Sequence, residues 1–384
     1  MSNDRYHGDD AGSGVASLAH LKTIANSGPV VAEERLRDFL RAQPALADTT
    51  IEVRLPEEQV AAGASGGTLM FEIVASDLPQ WSGRYVLRYE LGDGNFFSQT
   101  SLASQAETMR ALRRRGMPVP DATWFDPDGL IVPGKASLIM RRIEARAPNI
   151  QYLQTGPYVE ADAAVRRRML EELMGFAARL HALPVSELGL SMLQDRSGTG
   201  EHFLVQEIDW ALAELLARFP EREEGPRAAL HHEIRSTLLS AADRLKAALP
   251  QEVEPVLVHG DVTLANTMFN ANGTIAAVLD WELAHLGLPA EDPSYTHHAL
   301  RSIAAMGEVA VPVPSMGEIV GAYEAAGGTL EHFRFASALS AYRIAIWGAI
   351  GMRRMPEPFW PAQRTVWQAQ GGIVAETLAA LEAE

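Results

Sequence analysis

Hydrophobic and polar positions follow two different spacings along the chain. Between about residues 50 and 140, short runs rich in β-branched and aromatic residues predict strands, the first three joined by segments with Gly, Pro or Ser. These runs are IEVRL, TLMFEIVAS, RYVLRYEL and SLIMRRIE. From about Ala161 onward, apolar residues recur at helical spacing. The first such helix ends before Pro184, and its apolar face comprises Met169, Leu170, Leu173, Ala177 and Leu180.

The strand-rich part contains one predicted helix, from about Ser98 to Arg115, which Met117-Pro118 ends. Residues 253–280 are predicted as loop and short strands, and further helices are predicted at about 208–219, 227–249, 316–326, 333–352 and 363–383. We therefore expect a flexible N-terminal segment (1–28), a small α+β lobe (29–140) and a larger, mainly helical lobe (141–384). The cleft where the lobes join, at about residues 140–144, is the expected place for a ligand.

Composition and charge exclude several classes of protein. The 384 residues include 33 Lys and Arg against 49 Asp and Glu, a net charge of −16, so no nucleic-acid partner is expected. The absence of cysteine excludes disulfides, thiolate metal sites and cysteine nucleophiles, and it fits a cytoplasmic protein. The apolar run Ile344–Met352 is too short to cross a bilayer, and residues 1–15 lack the apolar centre of a signal peptide. We expect no membrane partner and no export.

Two neighbouring segments carry the densest chemistry in the chain, VLVHGDVTLANTMF (256–269) and IAAVLDWE (275–282). An apolar run brings Asp261 to a loop, Asn266 follows five residues later, and a second apolar run ends in Asp280. Asn272-Gly273 predicts a hairpin turn, so Asn266 and Asp280 are expected on neighbouring strand ends, where they can share a cation. Phosphoryl transfer from ATP needs a carboxylate to accept the hydroxyl proton and oxygen ligands for Mg²⁺. Asp261 fits the first role, and Asn266 and Asp280 fit the second.

Other interpretations exist for each of these residues. Taken singly, an Asp or Asn in a loop is most often a turn former or a helix cap, and it is the joint order and spacing that favour catalysis. His259 is interpreted as a structural residue, because Asp261 already supplies a base. Glu282 could contact a metal or the substrate, or it could form a buried ion pair. His181 is interpreted as a hydrogen-bonded core residue.

HGDVTLANTMF and VLDWE resemble the catalytic signatures of the aminoglycoside phosphotransferase and choline kinase superfamily. The longer string VLDWELAHLGLPAEDPSY is most similar to the phosphotransferases related to the kinase domain fused to, or encoded beside, acyl-CoA dehydrogenases. The resemblance extends from about Glu34 to the C-terminal helices. It implies an α+β, protein-kinase-like bilobal fold, in which a small antiparallel-sheet lobe with one helix precedes the helical lobe. It also implies ATP and Mg²⁺ as cofactors, a functional link to an acyl-CoA dehydrogenase, and a structural role for Asp292.

The resemblance further implies a nucleotide site in the small lobe. Arg88 stands where the family places the basic residue that contacts the ATP phosphates, and Glu107 would pair with it. The hinge would span residues 139–143, including Met140 and Arg142, and its backbone groups would hold the adenine edge. Small residues let backbone N–H groups approach phosphates, and one turn contains Ser65, Gly66, Gly67 and Thr68. The alternatives are a simple hairpin for this turn, a solvated helix face for Glu107 and core packing for Met140.

These observations predict an ATP- and magnesium-dependent kinase that phosphorylates an acceptor hydroxyl. A small molecule is preferred to a protein, because only eleven residues separate Asp280 from Asp292 and no Ala-Pro-Glu follows. The resemblance suggests a hydroxyacyl-CoA or a related hydroxy acid, whose negative charge the arginines at 113–115, 141, 142 and 146 could offset. One alternative is an aminoglycoside O-phosphotransferase, since acidic charge attracts ammonium groups. The other is a nucleotide-binding pseudokinase or partner-binding module.

Overall fold

The computed structural model describes residues 30–56, 66–92, 95–146, 153–194, 201–355 and 360–383. The predicted N-terminal segment 1–28 and Ser65 lie outside these residues. The strands are β1 (Ile51–Arg54), β2 (Gly67–Ala75), β3 (Gly83–Tyr89), β4 (Ala122–Asp126), β5 (Ser137–Arg141), β6 (Val256–Val258), β7 (Thr267–Phe269), β8 (Ile275–Val278) and β9 (His285–Gly287). The helices are α1 (Glu33–Arg41), α2 (Leu102–Arg114), α3 (Pro157–Glu160), α4 (Ala163–His181), α5 (Ser191–Gln194), α6 (Phe203–Leu216), α7 (Ala228–Ala247), α8 (Glu291–Ala304), α9 (Met316–Ala325), α10 (Phe333–Arg354) and α11 (Trp360–Glu382).

The small lobe is built on an antiparallel sheet in the order β1-β2-β3-β5-β4. In β2, buried positions alternate with more exposed ones, as the sequence pattern predicts. The register sets Arg88 of β3 opposite Thr68 of β2 and Leu138 of β5. Helix α1 packs on one core of this sheet, and α2 packs on another that includes Leu138 and Met140. The sheet therefore presents Thr68, Arg88 and Met140 on its α2 side, toward the cleft.

Helix α2 lies close to its predicted range. The Ser101 side chain caps its N-terminus by accepting a hydrogen bond from the Ala103 N–H. Gly116 follows the helix with φ +74°, a conformation that glycine adopts without steric cost. The inward face of α2 comprises Leu102, Gln105, Ala106, Met109 and Leu112. The helix is thus fixed in rotation by its apolar residues, which decides where its polar side chains point.

The large lobe is organised around α10, which packs against α8 and α11 and, with them, forms the main apolar core. Residues 333–353 are long and apolar enough to cross a membrane by length and composition, but 89% of the most apolar window is buried inside the protein. The fully buried Arg343 lies within this helix. These features are those of a core helix. The cellular compartment stays a prediction.

The elements that were not predicted from the sequence are α1, α3, α5, α8, β4 and β9. Helix α8 has no apolar stripe to reveal it, because its buried positions include Glu291, Asp292, Ser294, Thr296 and His298. Periodicity cannot detect a buried polar helix face, because it counts apolar residues.

The catalytic segments form two small antiparallel pairs, β6 with β9 and β7 with β8. The β7–β8 hairpin turns at Gly273, which has φ +84°. A Cβ at this position would lie 3.0 Å from the Val165 carbonyl oxygen of α4. The predicted Asn272-Gly273 turn therefore also fits closely against the large lobe.

Candidate active site

The loop that follows β6 is held by Asp292. The N–H groups of His259 and Gly260 each donate to a different oxygen of this carboxylate at 3.0 Å. Asp292 also bonds His181 Nε2 at 3.0 Å, and His181 Nδ1 lies 2.6 Å from the Tyr323 hydroxyl. Burial alone would raise the pKa of Asp292, but the hydrogen bond and the electrostatic interaction with His181 outweigh it and lower the pKa. Asp292 therefore fixes the loop as an ionised, fully buried acceptor.

His259 is a structural part of the same loop. Its Nδ1 accepts from the Asp261 N–H at 3.2 Å, and its Nε2 bonds the Leu279 carbonyl oxygen at 2.9 Å. The ring meets Trp281 edge to face, with centroids 4.5 Å apart. Burial lowers the pKa of His259, which favours the neutral ring. With both nitrogens bonded to the backbone, His259 orients the loop.

Asp261, Asn266 and Asp280 converge at the end of the two hairpin strands. Asn266 Nδ2 donates to Asp261 Oδ2 at 2.7 Å and to the Asp261 carbonyl oxygen at 3.1 Å. The Leu279 N–H donates to the Asn266 carbonyl oxygen at 2.7 Å, which brings the next residue, Asp280, beside Asn266. The predicted grouping of these three residues is therefore present in the structure.

Asp261 has a strongly perturbed carboxyl group. Burial and the charge of Asp280 raise its pKa to about 7, against the lowering effect of hydrogen bonds from Asn266 and Tyr295 and of the Arg343 charge. The nearby negative charge of Asp280 disfavours ionisation of Asp261, so a bound proton or cation stabilises this group. A carboxyl group that titrates near neutral pH has the basicity that a general base requires.

Asp280 adopts a left-handed backbone conformation, with φ 62° and ψ 66°. Aspartate tolerates this region better than most residues. Its Oδ1 lies 3.1 Å from Arg88 Nη1, and the two side chains are 31% and 19% exposed. Burial would lower the pKa of Arg88, but the charges of Asp280 and Glu282 outweigh it. The basic residue of the small lobe is thus paired with the second acid of the site.

The donor set suits a hard divalent cation. Asn266 uses its Nδ2 for Asp261, which leaves its side-chain oxygen as a ligand beside the Asp280 carboxylate. Among the described residues, no three His, Cys, Asp or Glu side chains form a closed metal site. Magnesium bound to a nucleotide needs only one or two protein oxygens, because phosphates and water complete its shell. The residues therefore fit Mg²⁺ held jointly with a triphosphate.

A cavity of about 360 Å³ opens beside Asp280 between the lobes. Its apolar lining includes Met70, Val86, Met109, Met140 and Met268, and its polar lining includes Thr68, Arg88, Gln105 and Arg142. A mainly apolar slot with polar groups at one end suits a purine base joined to a charged tail. The structure thus brings Thr68, Arg88, Met140 and Arg142 of the predicted nucleotide site to one cavity.

Glu107 does not reach this cavity, so the predicted pair with Arg88 is wrong. The residue is exposed, whereas Gln105 and Met109 of the same helix line the cavity. Two positions along an α-helix correspond to a rotation of about 200°, so Glu107 points away from both neighbours. The solvated-face alternative for Glu107 is the correct one, and Gln105 lies where the acid was expected.

The small residues before β2 have a packing role in the structure. A Cβ at Gly67 would lie 2.1 Å from the Tyr89 ring, and one at Gly66 would lie 3.0 Å from the Tyr89 carbonyl oxygen. Both glycines therefore allow β2 and the end of β3 to approach closely. Their contact with phosphate stays a prediction, and Thr68, the next residue, lines the cavity.

Two backbone groups of the expected hinge are already engaged. The Arg141 N–H donates to the Asp121 carbonyl oxygen at 3.2 Å, and the Arg142 N–H donates to the Arg84 carbonyl oxygen at 2.9 Å. Neither is available for an adenine edge. The Arg142 side chain lies 3.8 Å from Glu144. A base in the cavity would therefore have to meet the remaining hinge groups, toward Ile143.

Three of the arginines considered for a CoA ester have partners within the protein. Arg113 lies 3.9 Å from Asp121, and Arg115 lies 2.9 Å from Glu187. Arg141 packs over the Tyr85 ring at 5.1 Å and donates to its hydroxyl. These three side chains are used within the fold.

Sequence reasoning missed Tyr295 and Arg343, which act on Asp261 from distant helices. It also missed Gln105, although this residue lies one helical turn before Met109 and therefore on the same face of α2. Tyr295 lies at the end of the string that carries the family resemblance, but nothing local marks it as an active-site residue. Only the tertiary structure brings these side chains to the catalytic loop.

A family model and curated relatives both match more than half of the chain. A family model described as a phosphotransferase enzyme family matches residues 58–311. The chain is 26% identical over 286 residues to acyl-CoA dehydrogenase family member 11 of Rattus norvegicus, covering 70% of this chain and 33% of that protein. The chain thus spans about a third of the length of the curated relatives it matches.

Solved structures show the same fold. A candidate aminoglycoside phosphotransferase of Ralstonia eutropha has a TM-score of 0.62 and 20% identity, covering 91% of this chain and 99% of that one. An ethanolamine kinase of Plasmodium vivax has a TM-score of 0.59 and 12% identity, covering 97% of this chain and 99% of that one. These matches confirm the predicted α+β bilobal fold, and the family model confirms the predicted resemblance to phosphotransferases.

Proposed function

We propose, from the premise that the chain belongs to the phosphotransferase enzyme family, that it transfers the γ-phosphoryl group of Mg-ATP to a hydroxyl of a small molecule. Membership confirms the predicted enzyme class, a phosphotransferase with an alcohol group as acceptor. The nucleotide, the metal and the residue roles are our proposal. The observation that carries it is the convergence of Asp261, Asn266 and Asp280 beside the interlobe cavity.

Asp261 is proposed to orient the acceptor hydroxyl and to take its proton. Its raised pKa of about 7 reflects burial and the neighbouring Asp280 charge. A base of this strength accepts a proton more readily than an ordinary aspartate when the phosphoryl group is transferred. Asn266, which donates to Asp261 Oδ2 at 2.7 Å, holds one carboxylate oxygen in place.

Asn266 and Asp280 are proposed to hold magnesium on the phosphates, where the cation neutralises negative charge. Arg88 is proposed to contact the phosphates from β3. In the described structure Arg88 is paired with Asp280 at 3.1 Å. Arg88 exchanges this partner for phosphate when the nucleotide binds, and Asp280 becomes free to bind the metal.

The adenine base is proposed to lie in the cavity between Val86, Met140 and Met268. Methionine side chains adapt to an aromatic surface through their rotatable bonds and polarisable sulfur. Gln105 and Thr68, which line the same cavity, supply polar contacts. Gly66 and Gly67 are proposed to let the strand approach the nucleotide as well as Tyr89.

A hydroxyacyl-CoA or a related hydroxy acid is the proposed acceptor. The support is the similarity to relatives named acyl-CoA dehydrogenase family member 11, which also supports a functional link to an acyl-CoA dehydrogenase activity. An aminoglycoside is the second candidate, supported by the net charge of −16. The arginine positions do not decide between them, because several are engaged within the fold.

The test is phosphoryl transfer followed by mass spectrometry. The protein is incubated with Mg-ATP and hydroxyacyl-CoAs, free hydroxy acids, aminoglycosides or choline-like alcohols, with and without EDTA. A metal-dependent mass gain of one phosphate on one class identifies the acceptor. Tight nucleotide binding without transfer to any acceptor or to water would instead indicate a pseudokinase.

A further inference from the structure

A cluster of buried charged groups lies directly behind the catalytic loop. It consists of Glu207 of α6, His285 of β9, Glu291 of α8 and Arg343 of α10, here called the Arg343 cluster. Arg343 Nε lies 3.0 Å from Glu207 Oε1, and its Nη1 lies 3.9 Å from Glu291 Oε2. All three side chains are at most 1% exposed. These contacts are ion pairs without hydrogen-bond alignment, since the described residues give the Arg343 nitrogens no hydrogen-bond partner.

The Arg343 cluster is joined to β9. Glu291 Oε2 bonds His285 Nε2 at 3.0 Å, and Glu291 Oε1 accepts from the Leu288 N–H at 2.7 Å. His285 Nδ1 in turn lies 2.9 Å from the Leu283 carbonyl oxygen. A buried charge that loses its partner is costly, so these contacts hold α6, α8, α10 and β9 in one arrangement.

This arrangement touches the backbone immediately before Asp261. Gly260 has φ +81°, and a Cβ there would lie 2.4 Å from the Leu283 carbonyl oxygen, 2.9 Å from Arg343 Nη2 and 3.1 Å from His285 Nδ1. No side chain can fit at this position without displacing the cluster. The catalytic loop therefore packs directly on the buried charges.

Tyr295 connects the cluster to the Asp261 side chain. It lies on α8 one helical turn after Glu291 and is 5% exposed. Its ring lies beneath the Arg343 guanidinium, 5.7 Å from the ring centroid, and its hydroxyl is hydrogen bonded to the Asp261 carboxylate. The ring is thus fixed by a buried cation on one side, while its hydroxyl reaches the reacting group.

We propose that Tyr295 is a positioning residue for Asp261, and this inference rests on the proposed function. The Tyr295 hydroxyl and Asn266 Nδ2 both donate to the Asp261 carboxylate, so two hydrogen bonds restrain rotation of that group. A base held in this way meets the acceptor hydroxyl without first having to be ordered. Arg343 contributes indirectly, because its guanidinium holds the Tyr295 ring in place.

Tyr295→Phe removes the hydroxyl and keeps the ring. With the best acceptor of the transfer screen, or with water as acceptor in slow ATP hydrolysis, we expect kcat to fall roughly tenfold to hundredfold, the range for a hydrogen bond to a charged group. The KM and Kd for Mg-ATP are expected to stay within about twofold, because Tyr295 does not line the nucleotide cavity. Each rate is divided by the concentration of sites that bind nucleotide. Unfolded protein in a sample therefore does not lower the kcat that is reported.

Tyr342→Phe is the matched control. Tyr342 precedes Arg343, is fully buried and donates its hydroxyl to the Ile208 carbonyl oxygen at 3.4 Å. Its loss should cost stability but leave kcat within about twofold. Tyr295→Met, which lacks the hydroxyl and packs differently, should share the kcat loss of Tyr295→Phe.

The outcomes separate this inference from the proposed function. A wild-type protein that neither transfers phosphate nor hydrolyses ATP overturns both. An active wild type with an equally active Tyr295→Phe variant overturns the positioning role alone, as does an equal kcat loss in Tyr342→Phe. A selective kcat loss at Tyr295 supports the role, because a merely structural residue would lower the number of nucleotide sites and leave the rate per site unchanged.

Discussion

Arg88 Nη1 lies 3.1 Å from Asp280 Oδ1, so the cation of the small lobe and the second acid of the large lobe neutralise each other across the cleft. Both side chains line the cavity that is proposed to bind the nucleotide. In the proposed Mg-ATP complex each of them has a stronger partner, phosphate for Arg88 and metal for Asp280. The Arg88–Asp280 ion pair therefore links the two lobes, and nucleotide binding is expected to break it.

Arg88→Gln removes the cation and should weaken Mg-ATP binding roughly tenfold to hundredfold, the value of a charged hydrogen bond to phosphate. Arg88→Lys keeps the charge but loses the planar fork, and should be intermediate. Calorimetric titration with Mg-ATP measures both. Unchanged affinity in Arg88→Gln would contradict the phosphate contact.

Gln105→Glu and Glu107→Ala test the orientation of α2. Glu107 is exposed, so its removal should leave the KM for ATP within about twofold. Gln105→Glu adds a carboxylate to the cavity that Arg88 lines, and it should raise the KM several-fold through repulsion of the phosphates. Steady-state kinetics distinguish the two. A large effect of Glu107→Ala with a silent Gln105→Glu would reverse the assignment.

The pH dependence of transfer should follow Asp261. Its pKa is raised to about 7, and only the ionised form accepts a proton. The value of kcat/KM for Mg-ATP, which reports on the free enzyme, should therefore rise as pH increases through about 7 and level off above it. The affinity for Mg-ADP, measured over the same range, controls for titration of the nucleotide. A flat profile between about pH 6 and 8.5 would contradict a base with this pKa.

Asp292→Asn should destabilise the protein. The change replaces one of the two oxygens that accept the N–H groups of His259 and Gly260 by a donor. The expected loss is roughly 3 kcal/mol of the free energy of unfolding. Urea denaturation measures it, with the exposed Asp48→Asn as a control expected within about 0.5 kcal/mol of wild type. A change at Asp292 no larger than the control would show that the loop is held by other contacts.

The sequence was sufficient where a local pattern encodes the structure. Asp261, Asn266 and Asp280 follow short apolar strands and a glycine turn, so their grouping could be predicted from spacing. Glu107 was assigned by analogy, and the apolar phase of α2 at Met109 already contradicted that assignment.

Other features depend on contacts between distant segments. Helix α8 buries acids and hydroxyls, which leaves no apolar stripe to detect. The contact of Tyr295 with Asp261 and the ion pairs of Arg343 join α6, α8 and α10 to the catalytic loop. Such contacts depend on how helices pack, and no spacing along the chain specifies them.

The most direct test of the central claim is single-turnover transfer by Asp261→Asn. The acceptor that gains phosphate from wild-type protein and Mg-ATP is incubated with the variant, and product is quantified by mass spectrometry. The account predicts a transfer rate lower by roughly 10²- to 10⁴-fold, with the Kd for Mg-ATP within a few-fold of wild type. Transfer at the wild-type rate would contradict the assignment of Asp261 as the base.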